Sequence, residues 1–143
     1  MITQLRKRFA PLPSGEFYLR PATRITDVLK ERDVPNSYGI YLIYGNLEHS
    51  GRPIYIGKAG TVLTDGTWRK QGLRRRLSAR QEKLPRNEFF ARLIDDKKLS
   101  GLSFAWFVTF KDGQGTIPSL IEAELIQKHL DRFRCLPMLN KDF

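Results

Sequence analysis

Two short strand-forming segments separated by a turn constrain the fold of this chain more than any other feature of its sequence. Residues 38–44 (Tyr-Gly-Ile-Tyr-Leu-Ile-Tyr) and residues 54–56 (Ile-Tyr-Ile) are rich in aromatic and β-branched residues, which favour β-strands. The nine residues between them include two glycines, an asparagine and a proline, all typical of turns. Strands so close in sequence pair antiparallel, because parallel pairing needs a longer crossover. The sequence therefore predicts a β-hairpin.

The rest of the chain predicts helices and one more strand. Residues 103–110 are apolar enough to form a central third strand, and residues 59–72 form a loop with three glycines. Helices are predicted over residues 26–32, 73–83, 87–98 and 118–133. The fold class that follows is α+β, with a three-stranded antiparallel sheet flanked by helices in the order β-β-α-α-β-α.

The length of 143 residues suits a single domain spanning residues 1–143. Residues 1–35 are interpreted as an N-terminal arm with a short helix, because Pro11, Pro13 and Gly15 favour irregular structure. Residues 36–140 then form the core of the domain.

The charge of the chain points to a polyanionic partner. Its 25 Lys and Arg outnumber 15 Asp and Glu, for a net charge of +10, which favours nucleic acid ahead of an anionic membrane surface. No stretch is long and apolar enough for a membrane span, and the basic start lacks the apolar region of a signal peptide. A single cysteine excludes an internal disulfide and a multi-cysteine zinc site. We therefore expect a cytoplasmic protein.

The last predicted helix carries a carboxylate in an unusual place. At 100° per residue, Glu122 lies in the middle of the apolar stripe of this helix, whereas Glu124 lies on the opposite side and is expected to face water. A carboxylate that faces a core is costly unless it is paired, hydrogen-bonded or bound to a cation. Glu122 is therefore either the partner of a structural arginine or a ligand for a hard cation such as Mg²⁺.

A basic segment makes the complementary case. Between Gly66 and Arg92, nine Arg or Lys stand against two Glu. Arg76 follows Leu73 by one helical turn, at the margin of the face that the leucines bury, so its guanidinium is expected to be held against the fold and to give directed hydrogen bonds to a phosphate. The other cations are interpreted as solvated phosphate contacts: Arg69, Lys70, Arg74, Arg75 and Arg80.

Several of these residues together resemble the signature of the GIY-YIG nuclease superfamily. The motif residues are Gly39-Ile40-Tyr41, Tyr55-Ile56-Gly57, Lys58-Ala59, Leu73 with Arg76, Ile121-Glu122-Ala123, and Asn140. The superfamily includes the excinuclease C subunit of nucleotide excision repair, some homing endonucleases and some type II restriction enzymes. The resemblance covers roughly residues 36–140, and the predicted order of helices and strands agrees with the fold that it implies.

The resemblance implies a metal-dependent DNA endonuclease and a role for each motif residue. Tyr41 and Tyr55 would be paired phenols, one of which, with Tyr41 favoured, is the general base for the attacking water. Lys58 would lie beside them, Arg76 would stabilise charge on the transferring phosphate, and Arg75 and Arg80 remain alternatives for that position. Glu122 would hold a single Mg²⁺ or Mn²⁺, and Asn140 would help to position the metal or the substrate. The hydroxyls of Tyr41 and Tyr55, the Arg76 head and the Glu122 carboxylate are expected to meet on one open concave surface.

Other interpretations compete with this one. The alternative function is a nucleic-acid-binding module that retains the GIY-YIG fold without the reaction, and a third is a basic protein that docks on an acidic protein. Monomer and homodimer are both open. Among single residues, Cys135 is expected to be buried and Trp68 is available to stack on a base. His129 is either a neighbour of the Glu122 site or a packed core histidine.

Overall fold

The computed structural model describes residues 1–45, 51–79 and 83–143. Within them the helices and strands are, in chain order, Ile2–Phe9 (α1), Ser14–Leu19 (β1), Ile25–Glu31 (α2), Tyr38–Tyr44 (β2), Tyr55–Ala59 (β3), Leu73–Ser78 (α3), Arg86–Asp96 (α4), Leu102–Lys111 (β4), Gln114–Gly115 (β5) and Pro118–Phe133 (α5). The prediction of an α+β fold with an antiparallel sheet is confirmed. None of the helices in these ranges is long and apolar enough to cross a membrane.

The sheet is larger than the predicted three strands. Its order is β1-β4-β2-β3, with all neighbours antiparallel, and the short β5 also pairs with β4. The additional edge strand β1 falls in the segment interpreted as an irregular arm. All six of its residues pair with β4, from Ser14 opposite Phe107 to Leu19 opposite Leu102. Because β4 is buried along most of its length, its backbone N–H and C=O groups need a paired strand on both sides. This requirement overrides the preference of Pro13 and Gly15 for irregular structure.

The first residues also differ from the predicted arm, because they form helix α1. Ile2, Leu5 and Phe9 are buried, and their spacing places them on one side of a helix. This side packs on the sheet together with α5. The helical spacing of Ile2, Leu5 and Phe9 can be read from the sequence. The prediction of an irregular arm rests instead on Pro11 and Pro13, which follow this segment.

Two apolar layers cover opposite faces of the sheet. On the face that we call the α4 face, side chains such as Tyr41, Ile43 and Trp106 pack against α2, α3 and α4. On the other, the α5 face, side chains such as Ile40 and Leu42 pack against α1 and α5. Because alternate residues of a strand point to opposite faces, each motif residue on β2 and β3 is assigned to one layer.

Of the three helices predicted in the core, α5 matches its predicted bounds and α4 matches within two residues at each end, whereas α3 is shorter than predicted. Helix α5 spans the predicted residues, with Pro118 at its start and Arg134 in a left-handed conformation (φ 62°) at its end. Helix α3 ends at Ser78 instead of continuing to residue 83. Arg80, assigned to the DNA-binding set, and His49, in the predicted hairpin turn, lie outside the described residues.

Candidate functional site

The two tripeptide motifs lie on neighbouring strands, and their tyrosines form a pair. In the β2–β3 register, Tyr41 is opposite Gly57 and Ile43 is opposite Tyr55. Both phenol rings belong to the α4 face, with ring centroids 5.8 Å apart and planes inclined by 33°. A β-hairpin, as the sequence predicts, therefore brings Tyr41 and Tyr55 together.

Both motif glycines occupy positions where the space is already filled. A Cβ at Gly57 would lie 2.6 Å from Tyr41 Cζ and 2.6 Å from Tyr55 Cε1, closer than any real side chain approaches. A Cβ at Gly39 would overlap the carbonyl oxygen of Phe107, where the register between β2 and β4 shifts. The Gly57 hydrogen thus leaves the room in which the two phenols sit, and Gly39 lets β2 approach β4.

Arg76 brings a positive charge to the tyrosine pair. It is an exposed residue of α3, whose Leu73 and Leu77 are buried on the α4 face. Partial burial of its head lowers the pKa of Arg76, but the charges of the Tyr41 and Tyr55 phenols outweigh this effect and leave its pKa raised. The guanidinium is therefore placed where it would stabilise an anion at the phenol pair.

The two tyrosines differ in their access to solvent. Tyr41 is 0% exposed, and no described residue offers its hydroxyl a hydrogen bond. Tyr55 is only half-buried. Burial, followed by the proximity of Tyr41, raises the pKa of Tyr55 to about 12, whereas the charges of Arg76 and Arg86 act in the opposite direction. Of the two phenols, Tyr55 is the one that solvent can reach.

Glu122 approaches from the other side of the sheet. Its helix, α5, packs on the α5 face. Lys58 also belongs to this face, because it follows Ile56 by two residues on β3. Burial raises the pKa of the half-buried Glu122 carboxyl, and the charges of Lys58 and Arg76 offset this only in part. The expectation that the four side chains share one concave surface is therefore wrong: the phenols of Tyr41 and Tyr55 lie on the α4 face, Glu122 belongs to the helix on the α5 face, and the Arg76 charge acts on both.

Among the described residues, the Glu122 carboxylate has no arginine in an ion pair with it, which was one of the two roles that the sequence left open. None of the ion pairs or side-chain hydrogen bonds found in the described part of the chain includes Glu122. By contrast, Glu124, which lies two residues later on the opposite side of the same helix and is expected to point into water, pairs with Arg8. A half-buried carboxylate without a bonded partner suits a hard cation, which accepts one carboxylate together with water molecules.

Asn140 uses its side chain to hold the edge strand. Its Oδ1 accepts a hydrogen bond from the Ile56 N–H (3.0 Å), and its Nδ2 donates one to the Ile56 carbonyl (2.9 Å). The Leu139 N–H donates to the Ile54 carbonyl (2.8 Å) next to it. The amide thus occupies the outer edge of β3 in the manner of another strand. This geometry places Asn140 beside Tyr55 and Gly57 and gives it a role in fixing their strand.

The cations assigned to phosphate contacts fall into two groups. Arg69, Lys70 and Arg75 are exposed, although Arg75 Nη1 donates to the Lys70 carbonyl (3.0 Å). Arg74 is tied to the fold, since its Nε donates to the Val34 carbonyl (2.6 Å) and its Nη2 to Asp33 Oδ1 (3.2 Å). The sequence did not distinguish Arg74 from its neighbours, because the contact partners lie some forty residues away.

Arg86 is the residue near the tyrosines that sequence reasoning missed. It is the first residue of α4 and is 3% exposed, and its charge acts on the Tyr55 phenol. The sequence counted it only as one cation of the basic segment. Its position one helical turn before the apolar Phe90 could have indicated that Arg86 lies on the buried side of α4. In the structure Phe90 is buried, and the Arg86 guanidinium lies over its ring at 5.5 Å.

Three further expectations concern residues outside this cluster. Trp68 already stacks on Tyr38 (4.3 Å between centroids) and lies 4.8 Å from the ring of Phe110. His129 is a packed core histidine, whose Nδ1 lies 2.7 Å from the Cys135 carbonyl oxygen. The prediction that Cys135 is buried is wrong: it is exposed, because it follows the end of α5, where the chain turns away from the core.

The described ranges contain no group of three or more His, Cys, Asp or Glu suited to a metal ion. Comparisons of the chain with protein-family models, curated proteins and solved structures gave no match. What the chain can do must therefore be inferred from the chemistry of its own residues.

Proposed function

We propose that this chain is a metal-dependent endonuclease of the GIY-YIG type that hydrolyses DNA phosphodiester bonds by water attack. The arrangement that carries the proposal is the Tyr41–Tyr55 pair on neighbouring strands, with the Arg76 charge acting on both phenols and on the half-buried Glu122 carboxyl. These residues come from four separate helices and strands. A merely structural role would not require a half-buried carboxylate, without an ion-pair partner among the described residues, beside a cluster of phenols and cations.

In this proposal, Tyr55 is the general base. The sequence favoured Tyr41, but a base must touch the water from which it takes a proton, and only Tyr55 is accessible. A phenol with a pKa of about 12 is almost wholly protonated at neutral pH. Cations around it are therefore needed to favour the phenolate. Tyr41 packs against the Tyr55 ring and fixes its orientation.

The remaining residues place charge around the phosphate. Arg76 donates directed hydrogen bonds to the phosphate oxygens as negative charge develops, a kind of contact worth roughly 3–4 kcal/mol in comparable sites. Glu122 would hold one Mg²⁺ or Mn²⁺, with Lys58 beside it. Such a cation polarises phosphate oxygens and acidifies its bound water. Asn140 keeps β3, and with it Tyr55, in register.

The exposed cations supply affinity for DNA. Arg69, Lys70 and Arg75 lie on the loop and helix that precede and carry Arg76, so a backbone that they attract passes close to the site. The proposed setting is the cytoplasm. One copy of the chain supplies every residue of the proposed site, and the proposed oligomeric state is a monomer or a homodimer.

The test is cleavage of plasmid, single-stranded and branched DNA in the presence of Mg²⁺ or Mn²⁺, with Glu122→Gln as the decisive variant. We expect the wild-type chain to cleave and Glu122→Gln to lose cleavage at every metal concentration. The variant should fold at least as stably as the wild type, because it removes a half-buried charge whose burial Lys58 and Arg76 offset only in part. Glu124→Gln, on the same helix, is the matched control and should retain cleavage.

One observation favours the second candidate, a nucleic-acid-binding module without the reaction. Tyr41 is fully buried and Glu122 lies on the opposite side of β3 from the phenols, so the groups are less open than a preformed active site would be. The same assay separates the two. Salt-dependent binding of DNA without cleavage under any metal would favour the binding module, and near wild-type turnover by Glu122→Gln would remove the proposed metal site.

A further inference from the structure

Three aromatic side chains form a cluster at the surface, at the end of the sheet where β2 begins and β4 ends. The ring of Trp68 stacks on that of Tyr38, with centroids 4.3 Å apart and planes inclined by 15°, and lies 4.8 Å from the ring of Phe110. Tyr38 and Phe110 are opposite each other in the β2–β4 register. All three residues are partly exposed. We call this set the aromatic cluster.

The loop that carries Trp68 holds its ring in place. The two sides of the loop are joined by a hydrogen bond from the Arg69 N–H to the Thr61 carbonyl (2.9 Å). Gly60, at φ 117°, lies so close to the rings that a Cβ there would stand 2.8 Å from Tyr38 Cδ1 and 3.0 Å from Trp68 Cζ3. The backbone of the loop and the space beside Gly60 therefore fix the position of the Trp68 ring.

The aromatic cluster lines an open groove of about 440 Å³, and ligand sites in proteins have volumes of about 300–1,000 Å³. The other walls are polar. Asn36 and Ser37 come from the segment before β2, and Lys111 and Asp112 from the end of β4 and the turn after it. Aromatic rings beside amide and hydroxyl groups suit a flat ligand with hydrogen-bonding edges. Because Lys111 and Asp112 carry opposite charges, the groove favours a neutral ligand over an anionic one.

The groove adjoins the cations that we assign to phosphate contacts. Its wall residue Asn36 accepts a hydrogen bond at Oδ1 from the Arg75 N–H (3.1 Å), which ties the groove to α3. Arg69 and Lys70 follow Trp68 directly in the chain, and all three cations are exposed. A DNA strand whose phosphates these cations attract therefore passes beside the aromatic cluster.

We propose that the groove binds one unpaired nucleobase of a DNA strand, which stacks on the aromatic cluster while the polar walls contact its edge. Every nucleobase has a flat face, so stacking does not select a sequence. It does require a base that is not paired and stacked inside a duplex. The substrate class is therefore DNA with unpaired nucleotides, as in a single strand or the single-stranded part of a branched molecule.

The position of the groove relates base binding to the proposed reaction. Tyr38 begins the strand that also carries Tyr41, and three residues of a strand span about 10 Å. A base held in the groove therefore keeps neighbouring phosphates of the same strand near the tyrosine pair. The consequence for cleavage rests on the proposed function, whereas binding of the base does not.

The test observes Trp68 in the full chain without a divalent metal, so that no cleavage takes place. The chain is produced with fluorinated tryptophan, whose ¹⁹F spectrum contains one resonance for each of the two tryptophans, and Trp68→Tyr identifies the Trp68 signal. A short single strand, the same strand with abasic nucleotides and a blunt duplex are added in separate titrations. We expect the single strand to shift the Trp68 resonance and the other two to leave it unchanged. The core residue Trp106, which is 7% exposed, is the internal control.

Affinity measurements separate base binding from phosphate binding. Trp68→Leu should weaken binding of the single strand roughly tenfold, equivalent to about 1.4 kcal/mol, and should leave binding of the abasic strand unchanged. Trp68→Tyr keeps an aromatic ring and should retain most of the affinity. Arg69→Gln should weaken binding of both strands alike. Leu63→Ala is the matched control, because Leu63 belongs to the same loop, is 39% exposed and is not among the residues that line the groove.

A merely structural role for the aromatic cluster predicts a different result. In that case Trp68→Leu would weaken binding of the single strand and of the abasic strand equally, and the proposal would be overturned. Should Trp68→Leu fail to fold, the ¹⁹F spectrum of the wild-type chain still decides. Equal shifts of the Trp68 resonance with the single strand and the abasic strand, or no shift with either, overturn the proposal.

Cleavage by the same variants separates this proposal from the proposed function. If the wild type cleaves DNA, Trp68→Leu should lower its preference for single-stranded and branched DNA over blunt duplex roughly tenfold at subsaturating DNA. If the single strand shifts the Trp68 resonance but no DNA is cleaved with Mg²⁺ or Mn²⁺, the nuclease proposal fails and the groove proposal stands. If the wild type cleaves DNA and the Trp68 resonance ignores the single strand, only the groove proposal fails.

Discussion

Tyr41 lies directly opposite Gly57 across the β2–β3 pair, and its phenol occupies the space that a side chain at position 57 would take. A Cβ on Gly57 would stand 2.7 Å from the Tyr41 hydroxyl and 2.6 Å from the Tyr55 ring. Gly57 lies within an ordinary strand, so the constraint comes from space and not from backbone strain. Gly57, the last residue of the second motif, must therefore be a glycine because the phenols of Tyr41 and Tyr55 fill the space beside it.

The first prediction tests this relationship. Gly57→Ala should push the two phenols apart, lower the free energy of unfolding by roughly 1–3 kcal/mol through overpacking, and reduce cleavage by more than the loss of folded protein explains. Urea unfolding and single-turnover cleavage measure the two effects. Gly51→Ala is the control, because no atom lies within 4 Å of a Cβ there. A Gly57→Ala chain with unchanged stability and rate would show that the phenols do not depend on this gap.

A second prediction separates chemistry from binding within α3. Arg76→Ala should leave DNA affinity largely intact and cut the single-turnover rate at saturating DNA by roughly 10²–10³, because an interaction made mainly in the transition state appears in kcat. Arg75→Ala, one residue earlier and exposed, should weaken binding modestly and leave the rate at saturation unchanged. If instead Arg75→Ala stops the chemistry and Arg76→Ala only lowers affinity, the roles of the two arginines are exchanged.

The third prediction concerns pH and the identity of the base. Because the pKa of Tyr55 is raised to about 12, its active phenolate form is scarce at neutral pH and becomes about tenfold more abundant with each pH unit. The cleavage rate at fixed metal should therefore rise from pH 7 towards pH 9, and Tyr55→Phe should abolish the rise. Tyr18→Phe, at the other edge of the sheet, is the control. A normal profile in Tyr55→Phe together with an inactive Tyr41→Phe would return the role of base to Tyr41.

The fourth prediction distinguishes solvated cations from those held by the fold. Arg69→Gln should flatten the dependence of log K for DNA on log salt by about one, the loss of one phosphate contact. Arg74→Gln should change the salt dependence less and instead destabilise the fold by roughly 1 kcal/mol, since it loses the bonds to Val34 and Asp33. Fluorescence anisotropy at several salt concentrations and urea unfolding provide the two measurements. If both variants change the salt dependence of DNA binding equally, Arg74 gives up its hydrogen bonds to Val34 and Asp33 and contacts a phosphate when DNA binds.

The local sequence pattern predicted helices and strands correctly where the residues of a segment alone favour one structure. Helix α5 and strand β2 have the predicted bounds, because Pro118 starts the helix and the aromatic and β-branched run of 38–44 has no competing period. The pattern failed at β1. There Pro13 and Gly15 weaken the local preference for a strand, while the unpaired edge of β4 supplies the hydrogen bonds that form one. A partner ninety residues away leaves no periodic signal in the segment itself.

The candidate site divides in the same way. The sequence by itself determined which chemical groups are present: two phenols on paired strands, an arginine at the margin of a buried helical face, and a carboxylate within an apolar stripe. Only the tertiary structure decided their surroundings. It buried Tyr41, left Tyr55 accessible, tied Arg74 and Asn140 to backbone atoms, and enclosed Arg86 with no hydrogen bond from its Nε or Nη1 to any described residue. The reason is physical: residue type and period are encoded locally, but desolvation and electrostatic pairing depend on distances between segments that meet only in the folded chain.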